Sequence, residues 1–276
     1  MKQEDLYIAK EKRFKNGKTK MREYAYPMTI PSKSKTRTEG TGKKKRLFGK
    51  IKRNSLARTR ETLIELVENN EDAFVSFITL TYKEDVEDID RAYKDLGNYI
   101  KACKRKMNKD GQELYYIAVP EIQNKRAKHY GKYVIHFHLI TNIPIGSKLI
   151  PKREKKKIKG ADFKGIKTIE YYDLEGWKQG FSVALPIVKQ GEFELSKYLL
   201  KYLYKDLDDR FYGRQKILHS NNLKVPEFEY YNEKKDIEGI KERNARNLKE
   251  VFSMAEWETV TPFVDYVYKS KHDDEW

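Results

Sequence analysis

The order of short elements between residues 74 and 143 constrains this chain more than any other feature. Residues 74–82 are rich in β-formers and read as a buried strand. Residues 88–107 place Tyr93, Leu96, Ile100 and Cys103 at helical spacing, with Lys101, Lys104, Arg105 and Lys106 on the exposed side. Residues 114–122 and 133–143 read as two more strands, separated by a polar loop at 124–132. Strands and helices alternate, but the strands are short and mixed in pattern. That predicts an α+β fold with a largely antiparallel sheet, rather than a doubly wound one.

From Asn54 the flanking sequence turns helical. Leu56, Leu63, Leu66 and Val67 share a face, and Asn54 or Ser55 can cap it. Downstream, residues 174–180 read as a short helix, 181–188 as a strand, 192–211 as a strong helix and 215–218 as a short strand. Residues 1–30 are polar with scattered aromatics and point to no definite element. Beyond Pro226 the chain is charged and helix-prone, then ends in an apolar segment at 261–268. The expected organisation is a basic N-terminal arm at 1–50, one domain at 51–225 and a charged, helical extension at 226–276.

Charge points to the class of partner. The net charge is +16, and residues 31–60 hold twelve Lys or Arg against one acid, Glu39. Lys43, Lys44, Lys45, Arg46, Lys50, Lys52 and Arg53 form the densest part of that run. Such concentration is an electrostatic footprint for a polyanion, and nucleic acid is the natural one. The 20 Tyr, 12 Phe and 3 Trp are too many rings for a wholly disordered chain. One cysteine, Cys103, excludes an internal disulfide framework and a Cys-rich zinc site. The first residues lack the apolar stretch of a signal peptide, and no run approaches the ~20 apolar residues that span a bilayer. A soluble protein of the cytoplasm, with no membrane partner, is expected.

Three motifs carry chemistry. His136-Phe137-His138 lies in a predicted strand, so both imidazoles point to one face as candidate metal ligands. Glu121 ends the preceding strand and becomes a third ligand if the two strands pair. In the strongest helix, Tyr198 and Tyr202 are one turn apart, Lys205 is three beyond Tyr202, and Lys201 sits between the tyrosines. Each motif has a plain structural alternative: surface histidines, a surface glutamate, an amphipathic helix with packed rings. Together they supply the parts of phosphoryl transfer from DNA to protein. These are a metal to polarise the phosphate, a phenol to attack, a lysine to stabilise charge and basic surfaces to hold the strand.

These residues resemble the HUH endonucleases, and within them the rolling-circle replication initiators of phages and small plasmids. Phe77-Ile78-Thr79-Leu80-Thr81-Tyr82 resembles the first family motif, His136-Phe137-His138 the second, and Tyr198-x-x-x-Tyr202-x-x-Lys205 the two-tyrosine third. Glu121 lies where related phage initiators carry an acid. The segment from Gly213 to Asn221 looks like one that closes the domain. The resemblance covers about residues 73–225.

It implies an antiparallel sheet of five strands with the His pair on a central strand. It further implies Mg²⁺ or Mn²⁺ held by Glu121, His136 and His138, and Tyr198 and Tyr202 as nucleophiles assisted by Lys205. The implied product is a 5′-phosphotyrosine link to single-stranded origin DNA, with hairpin or duplex flanks bound alongside, in a bacterial host. No phosphate-cradling Gly-x-x-x-x-Gly-Lys-Ser/Thr loop is present, so strand separation is expected from a host helicase or supercoiling.

Other readings stay open at this point. Relaxases of the same class usually place the tyrosine before the His motif, and the transposases usually carry one tyrosine. A non-catalytic protein could stack single strands on its many rings without cutting. A two-His-one-carboxylate iron oxygenase would leave the paired tyrosines and the charge unexplained.

Overall fold

A computed structural model describes residues 6–30, 53–84, 86–122, 134–151, 172–187, 195–196, 198–200, 211–254 and 262–269. The chain is α+β. It divides into two compact units, one of residues 46–223 and one of residues 1–45 with 224–276. Each unit contains one five-stranded sheet, and every strand pairing is antiparallel. Among the described residues, no helix is long and apolar enough to cross a membrane.

In chain order the elements are β1 (Leu6–Arg13), β2 (Lys18–Thr29), α1 (Arg53–Asn69), β3 (Ser76–Tyr82), α2 (Ile89–Lys109), β4 (Tyr116–Ile122) and β5 (Ile135–Thr141). They continue with β6 (Gly180–Pro186), β7 (Leu218–His219), β8 (Glu227–Tyr231), α3 (Lys234–Asn244), β9 (Leu248–Met254) and β10 (Phe263–Lys269).

The unit of residues 46–223 is built on a sheet of order β6-β3-β5-β4-β7. Its middle strand, β5, is buried at every position because both faces of the sheet are covered. On one face Ile78, Leu80, Ala118, Ile135, Phe137 and Leu139 pack with α2. That helix begins at Asp88, whose carboxylate accepts from the Arg91 N–H at 3.0 Å. It buries Ala92, Leu96, Tyr99, Cys103 and Met107, the 3.6-residue stripe expected from sequence. Each such side chain contributes about 1.5–3 kcal/mol on burial. On the other face Phe77, Ile117, Val119 and Ile140 pack with Leu63, Leu66 and Val67 of α1. Leu195, Leu199 and Leu200 of the tyrosine-bearing helix join the same cluster. These features agree with the expected HUH endonuclease fold, including the place of the His pair on the middle strand.

The segment after the tyrosine helix is tied to this unit in three ways. Arg214 makes a two-pronged ion pair with Asp90, at 2.9 Å for each nitrogen. The Tyr93 hydroxyl donates to the Gln215 carbonyl. Leu218 and His219 pair with Ala118 and Ile117 of β4.

One local expectation fails. Residues 174–180 form a turn, not a helix: Gly176 adopts φ +86°, and Ser182 Oγ accepts from the Leu174 N–H at 2.7 Å. The left-handed glycine stops a helix there, and Trp177 instead packs edge-on against Tyr82 and Tyr99.

The second unit has the order β8-β1-β2-β10-β9. The two ends of the chain, expected as a separate arm and extension, pair strand to strand: β1 with β8, and β2 with β10. Ile237 and Ile240 of α3 pack on Ala9, Met21 and Tyr268 from one face of this sheet. Of the region expected to be helical beyond Pro226, only α3 is a helix of that length; β8 and β9 flank it as strands.

Candidate active site

The site is assembled on the α1 face of the middle strand. Period-two alternation sends Phe137 into the α2 core and turns His136 and His138 to the opposite face. The register sets Thr79 and Val119 beside His138, and Thr81 and Glu121 beside His136. Thr79, Thr81 and Glu121 therefore share the face of the imidazoles, because directly opposed residues in an antiparallel pair point the same way.

Glu121 reaches diagonally past its direct partner. Its Oε2 lies 2.5 Å from His138 Nε2. The other ring nitrogen, Nδ1, lies 3.2 Å from Thr79 Oγ1. In this arrangement Nε2–H donates to the carboxylate and the threonine hydroxyl donates to Nδ1. The His136 and His138 rings are 6.5 Å apart. Glu121, His136 and His138 are all nearly inaccessible, at 3%, 7% and 5% exposure. Burying an acid–imidazole pair costs desolvation that apolar residues of similar size would avoid, so stability alone is a poor reason to keep it.

The tyrosine helix comes to the same face. The Tyr198 ring meets Phe77 edge-on at 4.9 Å, and Phe77 stacks on His138 at 5.9 Å. Leu199 and Leu200 bury beneath the helix, as their spacing predicts. Tyr198 is thus brought to the His138 neighbourhood. Lys201, Tyr202 and Lys205 lie outside the described residues, as do Lys43, Lys44, Lys45, Arg46, Lys50 and Lys52. Arg53 opens α1, but its side chain is outside them too.

As donors, two imidazoles and a carboxylate suit a divalent cation, and their common face makes them neighbours. Among the described residues, no three His, Cys, Asp or Glu side chains are already arranged as a metal cage. Glu121 and His138 are instead bonded to each other, each through the atom a cation would use.

Two residues acquire a place here that motif reading did not give them. Thr79 was part of a strand motif but not a site residue, and it holds the outer nitrogen of His138. Phe77 is the ring between Tyr198 and His138. The alternation of Phe77, Thr79 and Thr81 was visible in sequence; that β3 pairs with β5 was not.

Residues 75–207 match the family model of the replication-associated protein ORF2. The matched stretch covers just under half of the chain and contains all three motifs together with Glu121. The similarity to this replication-associated family leaves out the second sheet, whose strands lie at 6–29 and 227–269. No curated protein and no solved structure matches the chain.

Proposed function

We propose that the chain is a replication initiator that nicks single-stranded origin DNA with a tyrosine and rejoins strands in rolling-circle replication. The observation that carries this reading is the ring series Tyr198–Phe77–His138, which sets a phenol on the face holding the buried Glu121–His138 pair. The similarity of residues 75–207 to the replication-associated protein family supports it.

In the proposed reaction, the phenol oxygen of Tyr198 or Tyr202 attacks a backbone phosphorus in line with the 3′ oxygen. The Oη–P bond forms, the P–O3′ bond breaks, and the 5′ end stays on the tyrosine. The phenol gives up its proton to a base or to solvent, and the leaving oxygen takes one to become a 3′ hydroxyl. Lys205 offers positive charge to the phosphate during attack. The phosphotyrosine keeps the energy of the broken link, so a hydroxyl can reverse the step without a nucleotide. The second tyrosine allows a second transfer.

Glu121, His136 and His138 are the residues that would hold Mg²⁺ or Mn²⁺. When bound there, such an ion supplies Lewis-acid polarisation of a phosphate oxygen. The chain's own contribution is orientation: Thr79 and β5 fix the His138 ring, and the apolar neighbours Phe77, Val119 and Ile140 restrict water on that face. Lys201 and the basic residues Lys43–Arg46, Lys50, Lys52 and Arg53 are proposed to hold the strand and its duplex flanks.

The test is covalent trapping. The full chain is mixed with Mn²⁺ and single-stranded DNA of its own replicon, and products are read on denaturing gels and by peptide mass mapping. An adduct on Tyr198 or Tyr202 that is lost with chelator is expected. Intact binding of cognate DNA with no adduct would overturn the nickase reading in favour of a non-catalytic single-strand binder.

A further inference from the structure

The sheet of the second unit has two faces of opposite character. Toward α3 it turns Ala9, Met21 and Tyr268, together with the acids Glu11, Glu23 and Glu229. Glu23 pairs with Lys241 of that helix at 2.9 Å. The strand registers turn Lys10, Lys12, Lys18, Lys20, Arg22 and Lys269 to the other face. Two acids accompany them, Asp265 and Glu250. Asp265 is held by Arg22 at 2.7 Å and by Lys20 at 3.0 Å.

Across this cationic face runs a series of rings, one strand to the next. Phe228 and Tyr230 on β8 are 5.4 Å apart. Tyr230 meets Tyr7 of β1 at 4.5 Å, and Tyr7 meets Tyr24 of β2 at 5.5 Å. Tyr24 meets Phe263 of β10 at 6.5 Å, and Phe263 meets Phe252 of β9 at 6.5 Å. The series follows the strand order from edge to edge. Aromatic cross-strand pairs stabilise any sheet, but that does not explain its ends: Phe228 and Phe252 are each 54% exposed. Nor does it explain the cations laid on the rings. Lys10 Nζ stands 4.4 Å from the Phe228 centroid, and the Arg22 guanidinium 4.0 Å from that of Phe263.

From this we infer that the outer face of the second sheet binds single-stranded DNA, independently of whether the other unit cuts it. Bases stack on the rings, and Lys10 and Lys12 swing to the phosphates between them. A single strand is the occupant that charge and shape select together. The cations need a polyanion, and the exposed ring faces need unpaired bases, which a duplex hides within its own stack.

The experiment uses the full chain in chelator, so that no cleavage intervenes, with a fluorescein-labelled oligothymidylate read by anisotropy over a range of salt. F228A/F252A should weaken binding roughly 10-fold with the salt slope unchanged, since only stacking is lost. K10Q/K12Q should weaken binding and lower the slope of log K against log salt by about 1.4. Photo-cross-links from bromodeoxyuridine should map to residues 227–231 or 248–254. Parental affinity in both variants, or cross-links confined to residues 46–223, would overturn the inference. So would unchanged affinity in F228A/F252A together with dissociation of a dimer, which would make a second copy the occupant. Covalent trapping is a separate readout, so loss of the nickase reading and loss of this one are told apart.

Discussion

Thr79 Oγ1 lies 3.2 Å from His138 Nδ1, across the pairing of β3 with β5. A hydroxyl can donate to a bare ring nitrogen or accept from a protonated one, so Thr79 can hold either tautomer of His138 in the same orientation. That matters if Nε2 exchanges its proton with Glu121 for a cation, because the ring must then carry its hydrogen on Nδ1. Removing such an outer partner typically costs about 10–100-fold. T79V should lower the rate of adduct formation by that amount, and T79S should restore most of it. DNA affinity measured by anisotropy should stay at the parental value in both. Equal adduct rates in T79V and the parent would remove Thr79 from the site.

His136, His138 and Glu121 should separate chemistry from binding. H136A/H138A is expected to bring adduct formation to background while leaving most DNA affinity. E121Q should lower cleavage strongly, since the amide keeps the shape but loses the charge a cation needs. Isothermal titration with Mn²⁺ gives a readout apart from activity: binding in the parent and none in H136A/H138A is the expected result. Cleavage surviving in H136A/H138A would show the assignment to be wrong.

Gly180 is required by closeness, not by its own dihedral angle. A Cβ there would sit 2.3 Å from the Thr81 carbonyl oxygen and 2.4 Å from the Lys83 nitrogen. Both are backbone atoms, so β6 itself would have to move from β3. G180A should destabilise the chain by about 1–3 kcal/mol, read as a lower urea midpoint. It should also slow cleavage, because Thr81 is the residue that registers with His136. An unchanged midpoint would show that the strand end yields freely.

Alkaline pH should destabilise the protein. Burial holds the Tyr82, Tyr93 and Tyr99 phenols above their ordinary value of 10.0, with Asp95 adding to the effect at Tyr82 and Cys103 at Tyr99. The Cys103 thiol is also pushed up by burial. In the folded chain these groups keep their protons, while in the unfolded chain the phenols lose theirs near pH 10. Above that pH the unfolded state binds fewer protons, so stability falls as pH rises; below it these tyrosines add no pH dependence. Urea unfolding followed from neutral pH to about 11 should show the fall. Phenolate absorbance should appear for exposed tyrosines first and for these three only on unfolding. Cys103 should resist alkylation in the native state for the same reason.

Much of the catalytic-type unit was legible from local pattern. β3, α2, β4 and β5 were all expected, because each carries its own periodicity: six buried α2 positions at helical spacing, and runs of β-formers ending at Tyr82 and Ile122. The turn at residues 174–180 misled because apolar Leu174 and Trp177 mimic a helical stripe. The fold uses both to fill the α2 core from a turn. The first thirty residues gave no signal, since β2 is half-exposed along much of its length and its partners lie more than two hundred residues away.

By itself, the sequence determined the chemistry on offer: two imidazoles on one strand face, an acid on the strand before, tyrosines one helical turn apart, and a concentrated basic run. Those follow from spacing within one element, where backbone geometry leaves little choice. Only the tertiary structure decided that Glu121 bonds His138 rather than its direct neighbour His136, that Thr79 holds the far side of that ring, and that Phe77 links it to Tyr198. It also decided that the two chain ends close into one sheet with a ring-lined cationic face. Strand partners are chosen by long-range packing and register, and a one-residue slip would turn every one of those side chains to the opposite face.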